Sequence, residues 1–313
     1  MVSDKSFNEV KIVTNSRLHF GFLNLKSSNS YSFGGMGLSI DKHPTILTVS
    51  KASKFESNLN KAIRDKIYHF LCDNKLSKKI RVDCIESPQK HVGLGSGTQL
   101  ILSIEEAISK FYRFNQNINF FKRSYRSGVG INSYKNGGFI VDSPKNNLLT
   151  NEIIFKTNFP KEWKIILLFD SKARGLHGRS ESRFFSSDTT ISLRKKLSDL
   201  TLNEIIPSII YKDFDIFARS LTKFQDLNSL FYSSIQKSNY LSHDIAKVIK
   251  KVSINFNVAA GQSSWGPTSY MLIESKNIHN GIISILDNTI SMYNNLSYEI
   301  VSAKNSGRKL SYK

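Results

Sequence analysis

His91-Val92-Gly93-Leu94-Gly95-Ser96-Gly97-Thr98-Gln99 is the stretch on which the fold turns. Three glycines in five residues let the backbone bend so that successive N–H groups face one point. Leu100, Ile104, Ala107, Ile108 and Phe111 then recur at helical spacing. A glycine-rich loop therefore feeds directly into a helix, whose positive N-terminal end adds to the N–H groups. Such a loop suits a phosphate, although an ordinary strand-to-helix turn uses the same residues. It lacks the terminal Gly-Lys-Ser/Thr of the Walker loop, and Thr98 stands where the dinucleotide fingerprint has its third glycine.

Upstream, Val10 to Val13, Leu18 to Leu25, Gly37 to Ile40 and Thr45 to Val49 read as antiparallel strands, with Gly34, Gly35 and Gly37 at a tight connection. Leu59, Ile63, Ile67 and Leu71 mark an amphipathic helix between 57 and 74, and Lys79 to Ile85 a strand. Downstream, Phe139 to Val141 and Ile153 to Phe155 read as strands closing the first half. The apolar run Trp163 to Phe169 reads as a buried strand. The pattern is helical from 190 to 252, with Leu241, Ile245, Val248 and Val252 as one stripe. Ala259 to Pro267 reads as a Gly/Ser turn. Tyr270 to Ile273 (strand), Ile278 to Tyr293 (helix) and Tyr298 to Ser302 (strand) follow. Strands and helices in this order predict an α+β protein whose second half is an antiparallel sheet with helices on one face. Its domains are expected at 1–158 and 159–313.

The chain of 313 residues carries 44 Lys and Arg against 25 Asp and Glu, a formal charge of +19. The basic residues are spread through KASK, KLSKK, RKK, KVIKK and the tail KNSGRKLSYK, without a dense tract interleaved with stacking aromatics. A solvated basic surface is the default reading, and no nucleic acid is expected as partner. With 40% hydrophobic residues, 21 Phe and 12 Tyr, disorder is excluded. No window reaches the roughly 18 apolar residues that span a bilayer, and Cys72 and Cys84 form neither a disulfide framework nor a CxxC pair. A cytoplasmic protein is the expectation.

Four further places could carry chemistry. Arg17 and His19 lie two apart on a predicted strand and share a face, which is either solvent or a pocket wall. In Arg123-Ser124-Tyr125-Arg126-Ser127-Gly128-Val129-Gly130, Arg126 could fork onto a carboxylate or phosphate. Asp142, ending Gly137-Gly138-Phe139-Ile140-Val141-Asp142, could hold a metal ion or a ribose hydroxyl. Arg174-Gly175-Leu176-His177-Gly178 follows a strand, where sites often form, and His177 could titrate near neutrality. Gly261-Gln262-Ser263-Ser264-Trp265-Gly266-Pro267 gathers an amide, two hydroxyls and an indole that suit a planar ligand; a Trp closing a core edge is the plainer reading. No Cys/His cluster, HExxH or Gly-x-Ser-x-Gly supports a zinc or serine hydrolase.

Taken in order, several segments resemble the GHMP kinase superfamily, and more closely its β-ribofuranosylaminobenzene 5′-phosphate synthase branch. They are Arg17-Leu18-His19-Phe20-Gly21-Phe22, Gly34-Gly35-Met36-Gly37-Leu38, His91 to Leu100, Arg126 to Gly130, Gly137 to Asp142, Phe159 to Trp163, Gly175-Leu176-x-Gly178 and Gly261 to Pro267. The kinases of this superfamily commonly close a Ser-Gly-x-Asp motif with a catalytic Asp, where this chain has Ser127-Gly128-Val129-Gly130. Gly97-Thr98-Gln99 likewise replaces Ser-Ser-Ala. Both departures are similar to the synthase branch.

The resemblance implies a two-domain GHMP-kinase-like fold with a ribosomal-protein-S5-domain-2-like first half and a ferredoxin-like second half, and a homodimer is expected. It implies condensation of 5-phosphoribosyl 1-diphosphate with 4-aminobenzoate or 4-hydroxybenzoate, releasing diphosphate and CO₂, on the way to methanopterin-type carriers. Gly93, Leu94, Gly95, Ser96, Gly97, Thr98 and Gln99 would bind the diphosphate, and Asp142 would help hold Mg²⁺. Arg17, His19 or Arg126 would meet the benzoate carboxylate or the 5-phosphate. Arg174, His177 and Gln262, Ser263, Ser264 and Trp265 would line the substrate pocket. An ATP-dependent small-molecule kinase and a basic RNA-binding module are the other readings.

Overall fold

The computed structural model describes residues 7–25, 31–89, 92–114, 120–121, 128–144, 152–175, 190–232, 236 and 238–313. Arg126, His91 and His177 lie outside the described residues. The four short strands expected at the start are two long ones, β1 (Glu9–Phe22) and β2 (Gly35–Lys51), paired antiparallel. The register of this pair shifts between Thr14 and Ser16 and again between His19 and Gly21. The first shift reverses which face each residue meets. Val10 and Ile12 enter one core, whereas Leu18 and Phe20 enter another. Arg17 and His19 are thereby turned towards the helices of the first half, and His19 is buried.

Next come β3 (Glu56–Ser57), α1 (Lys61–Asp73), β4 (Ile80–Glu86), α2 (Ser96–Phe111), α3 (Val129–Asn136), β5 (Phe139–Asp142) and β6 (Ile153–Thr157). The Asn60 side chain accepts the Ile63 N–H to start α1, whose Ile67 and Leu71 are buried. The α1 and α2 stripes pack with Val10, Ile12, Leu47, Val49 and Val82 into a core on one face of the sheet. β5 lies against the first part of β2 and β4 against the last, while β6 continues outward from β5.

The second half contains β7 (Trp163–Asp170), α4 (Ile191–Asp199), a π-helical turn at Leu200–Ile205, α5 (Ile206–Tyr211), α6 (Phe214–Ser229) and α7 (His243–Ser253). It is completed by β8 (Ala259–Gln262), β9 (Ser269–Glu274), α8 (Ile283–Ile290), β10 (Leu296–Val301) and β11 (Lys309–Tyr312). Its antiparallel sheet runs β10-β7-β9-β8. Helices cover both faces, not one. Trp163, Ile165 and Leu167 pack with Phe217, Leu221 and Phe224 of α6, whereas Ile166 and Leu168 pack with α7 and α8. This agrees with the unbroken apolar run of β7, which a one-sided sheet would have interrupted.

Two further expectations are corrected. Ala259–Gln262, read as part of a turn, is strand β8. Its small residues give no strand signal because α6 packs tightly there: a Cβ on Gly261 would meet Gln225 and the Tyr270 hydroxyl. The basic tail is strand β11, pairing with β1 and adding the chain's end to the first sheet. Arg308 fastens it, donating to both Glu106 oxygens at 2.5 and 2.9 Å. Across the expected division at 159, Leu18, Phe20 and Phe139 share one core with Trp163, Phe217 and Tyr270.

Candidate active site

The predicted site segments, far apart in sequence, meet at one end of α2. Gly93 and Gly95 have φ of +87° and +81°, the left-handed region that glycine adopts without strain. The loop is gripped from two sides. Arg17 donates its N–H to the Leu94 carbonyl (3.1 Å), and the Ser263 hydroxyl donates to the Gly93 carbonyl (2.7 Å). The same hydroxyl oxygen accepts the His19 N–H (3.0 Å), and Ser264 donates its N–H to the His19 carbonyl (3.1 Å). Ser263 is therefore the rivet joining β1, the glycine loop and the β8–β9 connection.

Gly95 precedes α2 with no side chain capping the helix, so the first N–H groups, from Ser96 on, point out of its end. The Arg17 guanidinium lies over this end. A Cβ on Gly95 would stand 2.5 Å from Nη1, and one on Gly130 would stand 3.5 Å from Nε and 3.1 Å from the Thr98 methyl. A cation and the positive end of a helix repel unless an anion joins them. The arrangement forms a cradle that could take phosphate oxygens.

Not every loop residue faces that cradle. Leu94 is buried in the shared core, and Gln99 donates Nε2 to the Gly130 carbonyl (2.9 Å), tying α2 to α3. Gln262 accepts the Leu241 N–H (2.6 Å) and donates to the Ser264 carbonyl (3.3 Å), while Trp265 packs with Phe22, Leu25 and Phe33. These residues frame the site. Arg174 is exposed in the turn beyond β7, and among the described residues no hydrogen bond or ion pair joins it to the cradle.

His19 is 3% exposed, and neither ring nitrogen has a hydrogen-bond partner. Its ring lies 4.7 Å from that of Phe22, and a Cβ on Gly35 would stand 3.2 Å from Nε2. Burial, reinforced by the Arg17 charge, pulls the imidazole from 6.5 down to about 3. His19 is neutral at physiological pH, able to donate one hydrogen bond and accept another, and it carries no charge to pair with a carboxylate.

Asp142 is wholly buried. One carboxylate oxygen accepts the Gly35 N–H (3.0 Å) and the other accepts the Gly128 N–H (2.6 Å). Among the described residues, no three His, Cys, Asp or Glu side chains gather to hold a metal. These residues do not fit a Mg²⁺ cage; Asp142 instead pins β2 and the start of α3 to β5. Asp142→Asn is expected to lower stability by about 2–3 kcal/mol, because an amide supplies only one acceptor for two N–H groups. The Mg²⁺ concentration giving half-maximal activity should stay unchanged; a tenfold rise without a fall in melting temperature would make Asp142 a ligand.

Sequence reasoning missed a cavity of about 1100 Å³ between β5, β6 and α4, which is lined in part by Arg194, Lys195 and Lys196. Its one signal was the spacing of Ile191, Arg194, Lys195, Ser198 and Leu202, which places them along one side of a helix.

The chain is similar to known proteins along most of its length. Over 96% of the chain, it is 28% identical to the β-ribofuranosylphenol 5′-phosphate synthase of Methanocaldococcus jannaschii, covering 99% of that protein. It is 26% identical over 86% of its length to the synthase of the same name from Methanothermobacter thermautotrophicus, covering 90% of it. The chain resembles these synthases from end to end. No protein-family model matches it. Among solved structures, homoserine kinase from Cytophaga hutchinsonii superimposes with a TM-score of 0.68 at 12% identity, over 99% of each chain. Mevalonate diphosphate decarboxylase from Staphylococcus aureus does so with a TM-score of 0.68 at 13% identity, over 97% of this chain and 98% of its own. The fold is that of the GHMP kinases. No described helix is long and apolar enough to cross a membrane.

Proposed function

We propose that the protein is a decarboxylating phosphoribosyltransferase that joins 5-phosphoribosyl 1-diphosphate to 4-hydroxybenzoate or 4-aminobenzoate. The observation that carries this reading is the Arg17 guanidinium at the uncapped end of α2, with Gly130 beside it. A kinase on this fold would place its catalytic carboxylate at 130. Here that space abuts Arg17 and Thr98, neither of which is a base for deprotonating an alcohol. The name of the methanogen relatives adds support: a ribofuranosylphenol is what 4-hydroxybenzoate yields once its carboxylate is lost.

The chemistry asks little of acid or base. The C1–O bond to diphosphate breaks as negative charge gathers on the leaving group, where the Arg17 guanidinium and the α2 N–H groups stabilise it. The ring carbon bearing the carboxylate forms the new bond to C1. The C–CO₂ bond then breaks, and its electron pair returns to the ring, restoring aromaticity with no proton transferred. Neutral His19 supplies a hydrogen bond, not a charge. Any Mg²⁺ requirement is assigned to the diphosphate itself, which carries its own oxygen ligands.

The test is release of labelled CO₂ from carboxyl-labelled 4-hydroxybenzoate or 4-aminobenzoate with phosphoribosyl diphosphate, in stoichiometry with diphosphate. Absence of release from both acids, together with ADP formation from ATP and an alcohol, would replace this reading with a kinase.

A further inference from the structure

Arg17 and His19 stand two apart on β1 with no register shift between them, so both side chains leave the strand on one face, where α2 and α3 pack. Leu18 between them enters the core on the other face. Extended chain sets the two residues about 7 Å apart. A molecule whose anionic group lies at Arg17 therefore has its next few atoms within reach of the imidazole.

That imidazole is 3% exposed, and neither Nδ1 nor Nε2 has a partner among the described residues. Buried polar groups left unmet cost stability, and native structures keep few of them. The immediate surroundings offer the ring nothing to pair with. The Phe22 ring lies 4.7 Å away, and Gly35 has no side chain beside Nε2, where a Cβ would stand at 3.2 Å. The Asp142 oxygens accept the Gly35 and Gly128 N–H groups. With the imidazole neutral near pH 7, through burial and then the Arg17 charge, the unmet groups are one donor and one acceptor. A carboxylate or phosphate only accepts, and would leave the ring's lone pair facing negative charge. A hydroxyl both donates and accepts, so it suits either nitrogen.

We infer that His19 accepts a hydrogen bond from the sugar hydroxyl next to the carbon that carries the diphosphate, the C2 hydroxyl of the phosphoribosyl donor. This rests on the proposed synthase reaction. C2 adjoins C1, where positive charge develops as the diphosphate departs. A lone pair on the hydroxyl hydrogen sends electron density towards that carbon, and hydrogen bonds to this hydroxyl strengthen in such transition states. A charged imidazolium at the same place would oppose the developing cation. His19 is thereby a catalytic residue that selects ribose over 2-deoxyribose, and the benzoate carboxylate is left to other groups.

Calorimetry on the full-length protein, with inorganic diphosphate saturating the cradle, compares ribose 5-phosphate with 2-deoxyribose 5-phosphate. The parent should bind the ribose ester at least about tenfold more tightly. His19→Phe keeps a ring of similar size without polar atoms; it should bind the two esters alike and retain the parental affinity for diphosphate, which reports that it is folded. His19→Gln should restore part of the preference. In turnover, the ratio of kcat/KM for phosphoribosyl diphosphate to that for its 2-deoxy counterpart should fall at least about tenfold in His19→Phe. No binding of ribose 5-phosphate, no preference in the parent, or a preference that survives His19→Phe would overturn the inference. Should His19→Phe fail to bind diphosphate, His19→Gln decides, and a preference equal to the parent's overturns it. If the preference depends on His19 yet neither benzoate releases CO₂, the synthase reading fails and the hydroxyl assignment stands. If CO₂ is released and the preference is independent of His19, the assignment fails and the synthase reading stands.

Discussion

Arg17→Ala is expected to lower kcat/KM for phosphoribosyl diphosphate by about 10²–10³-fold, the usual cost of deleting one preorganised donor to a developing oxyanion. The guanidinium lies over Gly95 and Gly130, at the end of a helix whose first N–H groups have no side-chain cap. Both positive elements face the same place. Charge on the diphosphate grows as the C1–O bond breaks, so the loss should fall on kcat as well as on KM. Arg17→Lys should recover only part of it, because a point charge cannot reproduce the planar fork that reaches two oxygens at once. A second readout separates function from folding. Inorganic diphosphate at about a hundredfold excess over its Kd should stabilise the parent by about 2.7 kcal/mol and the Ala variant far less. Equal stabilisation of both would remove Arg17 from the cradle.

Much of this site is legible in the residues themselves. Glycines spaced as Gly93, Gly95 and Gly97 announce a tight loop, and the stripe from Leu100 to Phe111 announces the helix it opens. Spacing by two places Arg17 and His19 on one face of β1, but alternation alone cannot tell which face that is. The register shift at Thr14/Ser16 decides it, and this bulge is a property of the strand pair that β1 alone does not carry. The Ser263 rivet is hidden for a related reason, since its partners are 170 and 244 residues away. Strand β11 escapes notice because an edge strand needs only Leu310 half-buried on its inner side, so Lys309, Ser311 and Tyr312 can fill the remainder. Arg194-Lys195-Lys196 reads as a solvated run until β5 and β6 supply the facing wall.

The protein should lose stability as pH falls from about 6.5 to about 3, and His19 should account for much of the loss. Its imidazole has a pKa near 6.5 when exposed in the unfolded chain, whereas burial and the Arg17 charge bring it to about 3 in the fold. Between those values the unfolded chain binds a proton that the folded chain refuses. Stability therefore falls with each unit of acidification, by at most about 1.4 kcal/mol per unit and about 5 kcal/mol across the window; above pH 6.5 the group contributes no slope. Urea midpoints measured at pH 7, 6, 5 and 4 would trace this. His19→Gln keeps a donor and an acceptor near the ring's position but does not titrate, so its profile should be flatter through the same window. Parallel profiles for parent and variant would mean that the folded protein admits the proton at His19. The same substitution bears on catalysis in a separable way. A neutral imidazole that only donates or accepts a hydrogen bond leaves no inflection in the pH profile of kcat between 5 and 8, so parent and His19→Gln should differ in height and not in shape.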